Sequence, residues 1–413
     1  MTDRWSAVCT RLSYGHRTRR RMAEIMTGES TALLEPTALT APASRPPRTR
    51  RNRAPESPSE APDWLDRGQI PGLDGMRALA ITWVVLVHSE RTAGFPDWLR
   101  VISHHGHLGV DIFFVISGFL ITTLLIRELE RHGQINLRRF YIRRFLRIIP
   151  AYCALLVAVA ISQYAGRIHV PARDWIAALT YTTNWLYHPT WELGHTWSLA
   201  VEEHFYLIWP FVLFATGVVG GWRAAVGCII GSWILRCFIS LVLPKIIGPV
   251  EASYYSALAE NWTMTRLDTI SSGCLLALAS RNDKLRSWLD RHSTPAHRIA
   301  YIALLCASLA IGASGKLHLC VCYSLDAYCI SMLLWGMIQS KGFIRTVLAN
   351  PILTTIGVGS YSIYLWQQMF IHPDLSGWIH AFPQNVCFTL GAAWLSFWVI
   401  ERPFNRLKDR LAA

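Results

Sequence analysis

The chain has 413 residues, 52% of them apolar and only 16% charged, where an ordinary soluble domain carries about a quarter charged residues. Together with a mean hydropathy of +0.26, this excludes a water-facing globule and makes lipid the expected solvent. The formal charge of +13 sits in tails and short polar breaks between apolar runs, which excludes nucleic-acid binding, and ten cysteines without a CxxC pair exclude a disulfide scaffold.

Residues 1–68 differ in kind from the rest. An arginine cluster (Arg17, Arg19, Arg20, Arg21) leads into a Pro/Arg/Ser/Glu-rich stretch with no apolar run of signal-peptide length behind it. Low hydrophobicity with frequent proline predicts a disordered cytoplasmic tail. From Leu73 onward, apolar stretches cover 73–90, 108–127, 144–164, 199–218, 222–243, 266–280, 298–313, 321–340, 351–371 and 384–401. Each approaches the roughly 20 residues that a hydrocarbon core of about 30 Å requires.

A further short run, 175–187, is ambiguous, and loop charge decides it. Leaving it out of the count puts 19 Lys/Arg in the inner loops and 6 in the outer ones; counting it would place two basic loops outside. The expected fold is therefore an all-α polytopic membrane protein of about ten transmembrane helices, with both termini cytoplasmic and the inner membrane as its location. Segment 175–187 becomes an extra interfacial or re-entrant helix, its Trp175, Tyr181, Trp185 and Tyr187 suited to the headgroup level. The domain division expected is a tail over 1–68, a transmembrane domain over 69–403 and a short basic cytoplasmic tail over 404–413.

Ionisable residues inside apolar spans are costly unless they face a protein interior or water, so each is a functional candidate. Arg77 and His88 are eleven residues apart, which places them on one helix face about 16 Å apart along the axis. A lone histidine on such a helix also reads as a satisfied core residue. Asp111 opens the second span in Gly109–Phe119, where Ser117 and Gly118 follow; Gly118 shares its face and permits close helix approach. Asp111 reads equally as a helix N-terminal carboxylate favoured by the dipole. The stretch around Arg138, Arg139, Arg143, Arg144 and Arg147 suits either anionic lipid headgroups or a phosphorylated ligand gripped by guanidinium groups. Thr196–Tyr206 (TWSLAVEEHFY) places Glu202, Glu203, His204 and Tyr206 at one end of a span, where a purely structural role is hard to assign. Adjacent helical residues point about 100° apart, so one of the two glutamates at most faces a given site squarely. Arg236, Arg266 and Asp268 are weaker signals, and His104, His105 and His107 in the outer loop read as solvated rather than metal-binding. No metal site is expected.

Leu73–Ala80 running to His88 resembles the opening motif of membrane acyltransferase family 3. So do Gly109–Leu120 (GVDIFFVISGFL), Arg143–Pro150 (RRFLRIIP), Thr196–Pro210 (TWSLAVEEHFYLIWP), Ser360–Trp366 (SYSIYLW) and Glu401-Arg402-Pro403. The six motifs occur in family order over about 73–403. The resemblance implies a ten-helix inner-membrane fold that moves acyl groups, commonly acetyl, from acyl-CoA to hydroxyls of sugars on polysaccharides, lipid-linked sugars or glycosylated metabolites. It implies that Arg77 and His88 are needed for activity, and it places the family glutamate motif on Glu202 and Glu203. After Tyr-Leu-Trp many members carry a histidine where this chain has Gln367-Gln368, which weakens a role there. The esterase-like domain fused to some members is not expected, since the chain ends about ten residues past Pro403.

Thioester-to-hydroxyl transfer requires a base, a grip on the CoA phosphates and hydrogen-bonding or positive character near the developing oxyanion. His88 is the expected base, with Glu203 or Glu202 orienting its ring. Arg77, Arg143, Arg144 and Arg147 are the expected grip on acyl-CoA, a co-substrate rather than a bound cofactor. Asp74, Asp111, Ser117 and Ser198 are further candidates, the two serines as nucleophiles of a less favoured covalent route. Membrane lipids and a carbohydrate acceptor complete the expected partners. The alternative class is a transporter or flippase of an acylated or lipid-linked sugar, which inverted repeats and paired broken helices would mark; neither is found here. A non-enzymatic membrane scaffold or sensor is the third reading.

Overall fold

The computed structural model describes residues 70, 72–103, 106–311 and 315–410, and every regular element among them is a helix. The expected tail over 1–68, His104, His105 and the last three residues of the closing basic segment lie outside the described residues.

The principal helices are α1 (Leu73–Ser89), α2 (His107–His132), α3 (Leu137–Tyr164), α4 (Thr196–Cys237), α5 (Thr263–Ala279), α6 (Pro295–Ala310), α7 (Tyr323–Ile338), α8 (Pro351–Val358), α9 (Ser360–Phe370) and α10 (Gln384–Ser396). Their limits follow local chemistry. Asn136 caps α3 by accepting from the Arg139 N–H, and Thr294 caps α6 by accepting from the His297 N–H with Pro295 in the first turn. In α4 the regular backbone breaks at Gly217, whose φ of 65° is a conformation that residues with a Cβ rarely adopt. Phe205 and Val212 before the break and Ala224 and Cys228 after it line the same apolar cavity of about 680 Å³. The chain therefore doubles back at Gly217, and α4 is two helices, α4a and α4b.

Helices lie at all ten apolar stretches, yet among the described residues four runs are long and apolar enough to cross a membrane on length and composition: His107–His132, Leu137–Tyr164, Trp191–Ile247 and His318–Ile338. The expected count of about ten does not emerge from helix length because α1 and α5 hold 17 residues each and stretch 351–371 is divided between α8 and α9. The ambiguous run 175–187 falls on a helix of eight residues, Ala172–Leu179, and a tight turn at Thr183–Trp185. The outward faces are apolar. Leu207, Ile208, Phe211 and Phe214 of α4a are each more than half exposed, as are Val157 and Ile161 of α3, and such a continuous face belongs in hydrocarbon.

α5 packs most extensively, against α2 and α4. A Cβ on Gly118 of α2 would lie 1.9 Å from the Ile270 carbonyl oxygen, and one on Gly273 of α5 would lie 2.0 Å from that of Val115. The two backbones touch through reciprocal glycines, the small-residue crossing that membrane helices favour. That crossing fixes the face of α2 that carries Ser117.

Candidate active site

Five helices converge on a cavity of about 100 Å³ lined by Arg77 from α1, Ser117 from α2, Arg144 and Arg147 from α3, Ser198, Glu202, Glu203 and Tyr206 from α4a, and Ser360, Tyr361 and Tyr364 from α9. The helical period explains the α4a contribution, since Ser198, Glu202 and Tyr206 recur every four residues on one stripe. Ser117 Oγ donates to Glu202 Oε1 at 2.7 Å. The Tyr206 hydroxyl reaches Ser117 Oγ at 2.9 Å and Glu202 Oε2 at 3.3 Å. The Arg144 guanidinium stacks over the Tyr206 ring, 5.0 Å from its centroid, and Arg77 lies 3.5 Å from Asp74 one turn before it. Two carboxylates and three guanidinium groups thus share one small cavity, so each charge has neighbours of opposite sign.

Arg144 and Arg147 also line a second, basic cavity of about 600 Å³, where Arg127, Arg131, Arg139, Arg143 and Lys408 join them. The four expected phosphate-gripping arginines therefore divide. Arg77 belongs to the carboxylate cavity, Arg143 to the basic one, and Arg144 and Arg147 to both. Glu203 additionally faces a groove between α3 and α4a lined by Tyr141, Phe145, Ile149 and Leu207.

His88 stands at the far end of α1, and the expected pairing with a glutamate is not formed. Glu202 is held by Ser117 and Tyr206, and the partner at the His88 ring is Gln367 of α9, whose Oε1 lies 3.1 Å from Nδ1. The reason is helical: eleven residues carry His88 about 16 Å up the axis from the level of Arg77, and Arg77 is the α1 residue that meets the glutamates. The departure from the family histidine, expected to weaken this position, in fact places an amide on the candidate base. Trp191 meets the His88 ring edge-on, centroids 5.7 Å apart. Between the two ends runs a polar wall: Ser198 Oγ bonds the Tyr364 hydroxyl at 2.6 Å, Tyr364 donates to the His195 carbonyl at 2.7 Å, and the His195 N–H donates to Gln368 Oε1 at 3.3 Å.

Asp111 faces none of this. It forms a buried ion pair with Arg266, whose guanidinium also lies over the Tyr323 ring, and Arg236 pairs with Asp268 at 2.6 Å. The weaker in-span charges thus neutralise one another, and the helix-terminus reading of Asp111 gives way to a structural ion pair. His204 turns to the apolar cavity and bonds Thr263 Oγ1 at 2.7 Å. His107 stacks edge-on against His318, and no cluster of His, Cys, Asp or Glu fit for a metal occurs among the described residues. The motif reading left Tyr364 and Glu401 without roles. Glu401 accepts a close hydrogen bond from Ser362 on α9, and the signal for it was a carboxylate at the end of an apolar stretch.

The family model for the acyltransferase domain matches residues 70–401. The chain belongs to this acyltransferase family. Over 367 residues, 82% of this chain and 57% of the relative, the chain is 32% identical to a protein of Staphylococcus aureus provisionally named an O-acetyltransferase. It is 31% identical over 326 residues, 74% of this chain and 50% of the relative, to the peptidoglycan O-acetyltransferase OatA of Listeria monocytogenes. It is 32% identical over 329 residues, 73% of this chain and 50% of the relative, to the O-acetyltransferase OatA of Staphylococcus aureus. The chain spans about half the length of the curated relatives it matches. No solved structure matches it.

Proposed function

We propose that this acyltransferase is an integral membrane O-acetyltransferase that moves acetyl from acetyl-CoA to a hydroxyl of a cell-envelope glycan, peptidoglycan first among the candidates. The observation that carries the reading is that Arg144 and Arg147 line both a basic cavity of about 600 Å³ and the carboxylate cavity. Planar guanidinium groups suit the phosphates of coenzyme A, and a donor gripped at these two shared arginines extends its thioester arm toward the polar wall that includes Ser198 and Tyr364. The chain then crosses the cytoplasmic membrane about ten times with both termini inside, the basic cavity on the cytoplasmic side and His88 toward the outside.

In the transfer, His88 takes the proton of the acceptor hydroxyl, and the oxygen forms a bond to the acetyl carbonyl carbon. The carbon–sulfur bond breaks, and the coenzyme A thiolate leaves with the proton that the imidazolium returns. Arg77, Arg144 and Arg147 hold the anionic donor, while Glu202 and Glu203 balance their charges. Removal of a positioned general base costs typically 10²–10⁴-fold. Membranes containing the full chain and radiolabelled acetyl-CoA are expected to label glycan, and His88→Ala at equal expression is expected to lose at least about 100-fold of that label. Normal labelling by His88→Ala would overturn the mechanism.

A further inference from the structure

We infer that the groove between α3 and α4a takes the tail of an acyl donor, so that this enzyme transfers chains as long as octanoyl as well as acetyl. The inference rests on the basic cavity holding coenzyme A and adds which acyl groups the site admits and where they lie.

The groove has a volume of about 460 Å³, whereas the carboxylate cavity has about 100 Å³. One wall is a stripe of α3, where Tyr141, Arg144, Phe145, Ile148 and Ile149 recur at the helical spacing of three and four residues. Leu207 of α4a stands in the other wall. The two helices touch sparingly. The Tyr141 hydroxyl donates to the Leu207 carbonyl at 2.7 Å, and the stack of Arg144 on Tyr206 ties the walls a second time.

The lining changes character from the outside inward. Phe145 and Leu207 are 59% and 64% exposed, on the outward apolar surface that belongs in hydrocarbon. Ile148 and Tyr206 are buried, and with Arg144 and Glu203 they also line the carboxylate cavity. A groove that is apolar on its lipid side and charged where it meets the carboxylate cavity suits an amphiphile with a polar, anionic head. Arg144 selects which amphiphile, because it lines the basic cavity, the carboxylate cavity and the groove. In an acyl-CoA the phosphates, the thioester and the acyl chain follow one another along a single molecule, and these are the groups the three spaces suit in turn. The transfer step is unchanged: the acceptor oxygen bonds to the acyl carbonyl carbon, the carbon–sulfur bond breaks, and coenzyme A leaves as the thiol. The tail contributes binding alone, from apolar surface taken out of water.

The test uses membranes containing the full chain and octanoyl-CoA that bears a diazirine near the end of its chain. Irradiation is expected to label peptides of α3 and α4a that contain Phe145, Ile149 or Leu207, and excess acetyl-CoA to reduce that label at least about tenfold. Radiolabelled octanoyl-CoA is expected to label the same glycan as acetyl-CoA, with a donor KM about tenfold lower. Ile149→Trp and Ile142→Trp, which fill the groove from two positions, are each expected to raise the octanoyl-CoA KM about tenfold. Their acetyl-CoA KM and kcat should stay within about twofold of the parent, which also shows that each variant is folded. Groove label that acetyl-CoA does not displace would mean that only bilayer lipid occupies the groove, and would overturn the inference. So would tryptophans that slow both donors equally, or a parent chain that transfers acetyl but neither transfers octanoyl nor takes label in the groove; the acetyl-donor reading would then stand. No transfer from either donor would remove that reading and the inference together.

Discussion

At the scale of single residues, buried charge separates working groups from structural ones. Asp111 and Arg266 are 1% and 3% exposed and meet each other directly. Taking one partner from such a pair strands a charge at a cost of about 3–5 kcal/mol, whereas replacing both with apolar groups of similar volume is often neutral. Asp111→Leu is therefore expected to lose most of its monodisperse protein on size-exclusion chromatography in detergent. The double variant Asp111→Leu/Arg266→Met is expected to recover it, with acetyl transfer within about threefold of the parent. A double variant that is folded but inert would return Asp111 to the list of working residues. The sequence makes Asp111 conspicuous but hides its mate, because nothing local links positions 155 residues apart. His88 and Arg77 are legible for the opposite reason: both lie on one helix, where the period alone gives their relation. Gln367 is the instructive omission. An uncharged amide attracts less notice than an ion, yet a fully buried amide has two donors and one acceptor oxygen that need partners just as an ion does.

At the scale of elements, the crossing of α2 and α5 carries Ser117 to Glu202. Neither Gly118 nor Gly273 leaves room for a methyl group against the opposing carbonyl, while Gly227 of α4b has open space around it. Gly118→Ala and Gly273→Ala are each expected to reduce both the melting temperature in detergent and the acetyl-transfer rate, by separating the helices and pulling Ser117 from Glu202. Gly227→Ala is expected to match the parent or exceed it slightly, because alanine restricts the unfolded chain. Equal behaviour of all three variants would show that the close crossing contributes nothing. Helices at the ten apolar stretches were legible, since apolar runs of this length have few other solutions in lipid, whereas Pro249–Ala259 and Asp283–Arg291, read as loops, were not. The division of 351–371 into α8 and α9 was not legible, because Gly359 within an apolar run can sit in a continuous helix or a broken one.

At the scale of the molecule, charge is sorted along the axis of α1: the arginine-rich cavity adjoins its start and the His88 cluster its end. If the basic cavity holds the proposed donor, its several cations make that binding depend on salt, since ionic screening shortens to about 8 Å at physiological strength. Arg143→Gln and Lys408→Gln, which touch the basic cavity but not the carboxylate one, are expected to raise the acetyl-CoA KM about fivefold to twentyfold with kcat within threefold. Both should flatten the dependence of that KM on sodium chloride. Unchanged KM values would detach the donor from this cavity. The sharing of Arg144 and Arg147 by two cavities comes from three-dimensional packing that no single helix encodes.

The break at Gly217 has a mechanical result. An unbroken helix of 42 residues would be about 63 Å long, twice the thickness of the oily layer, and would transmit any twist from end to end. With one left-handed residue between them, the rod bearing Glu202 and the rod bearing Arg236 keep separate phase. A residue inserted beyond the joint turns the second rod by about 100° and leaves the first aimed where it was. Drift in the second rod is thereby insulated from the rod that lines the carboxylate cavity.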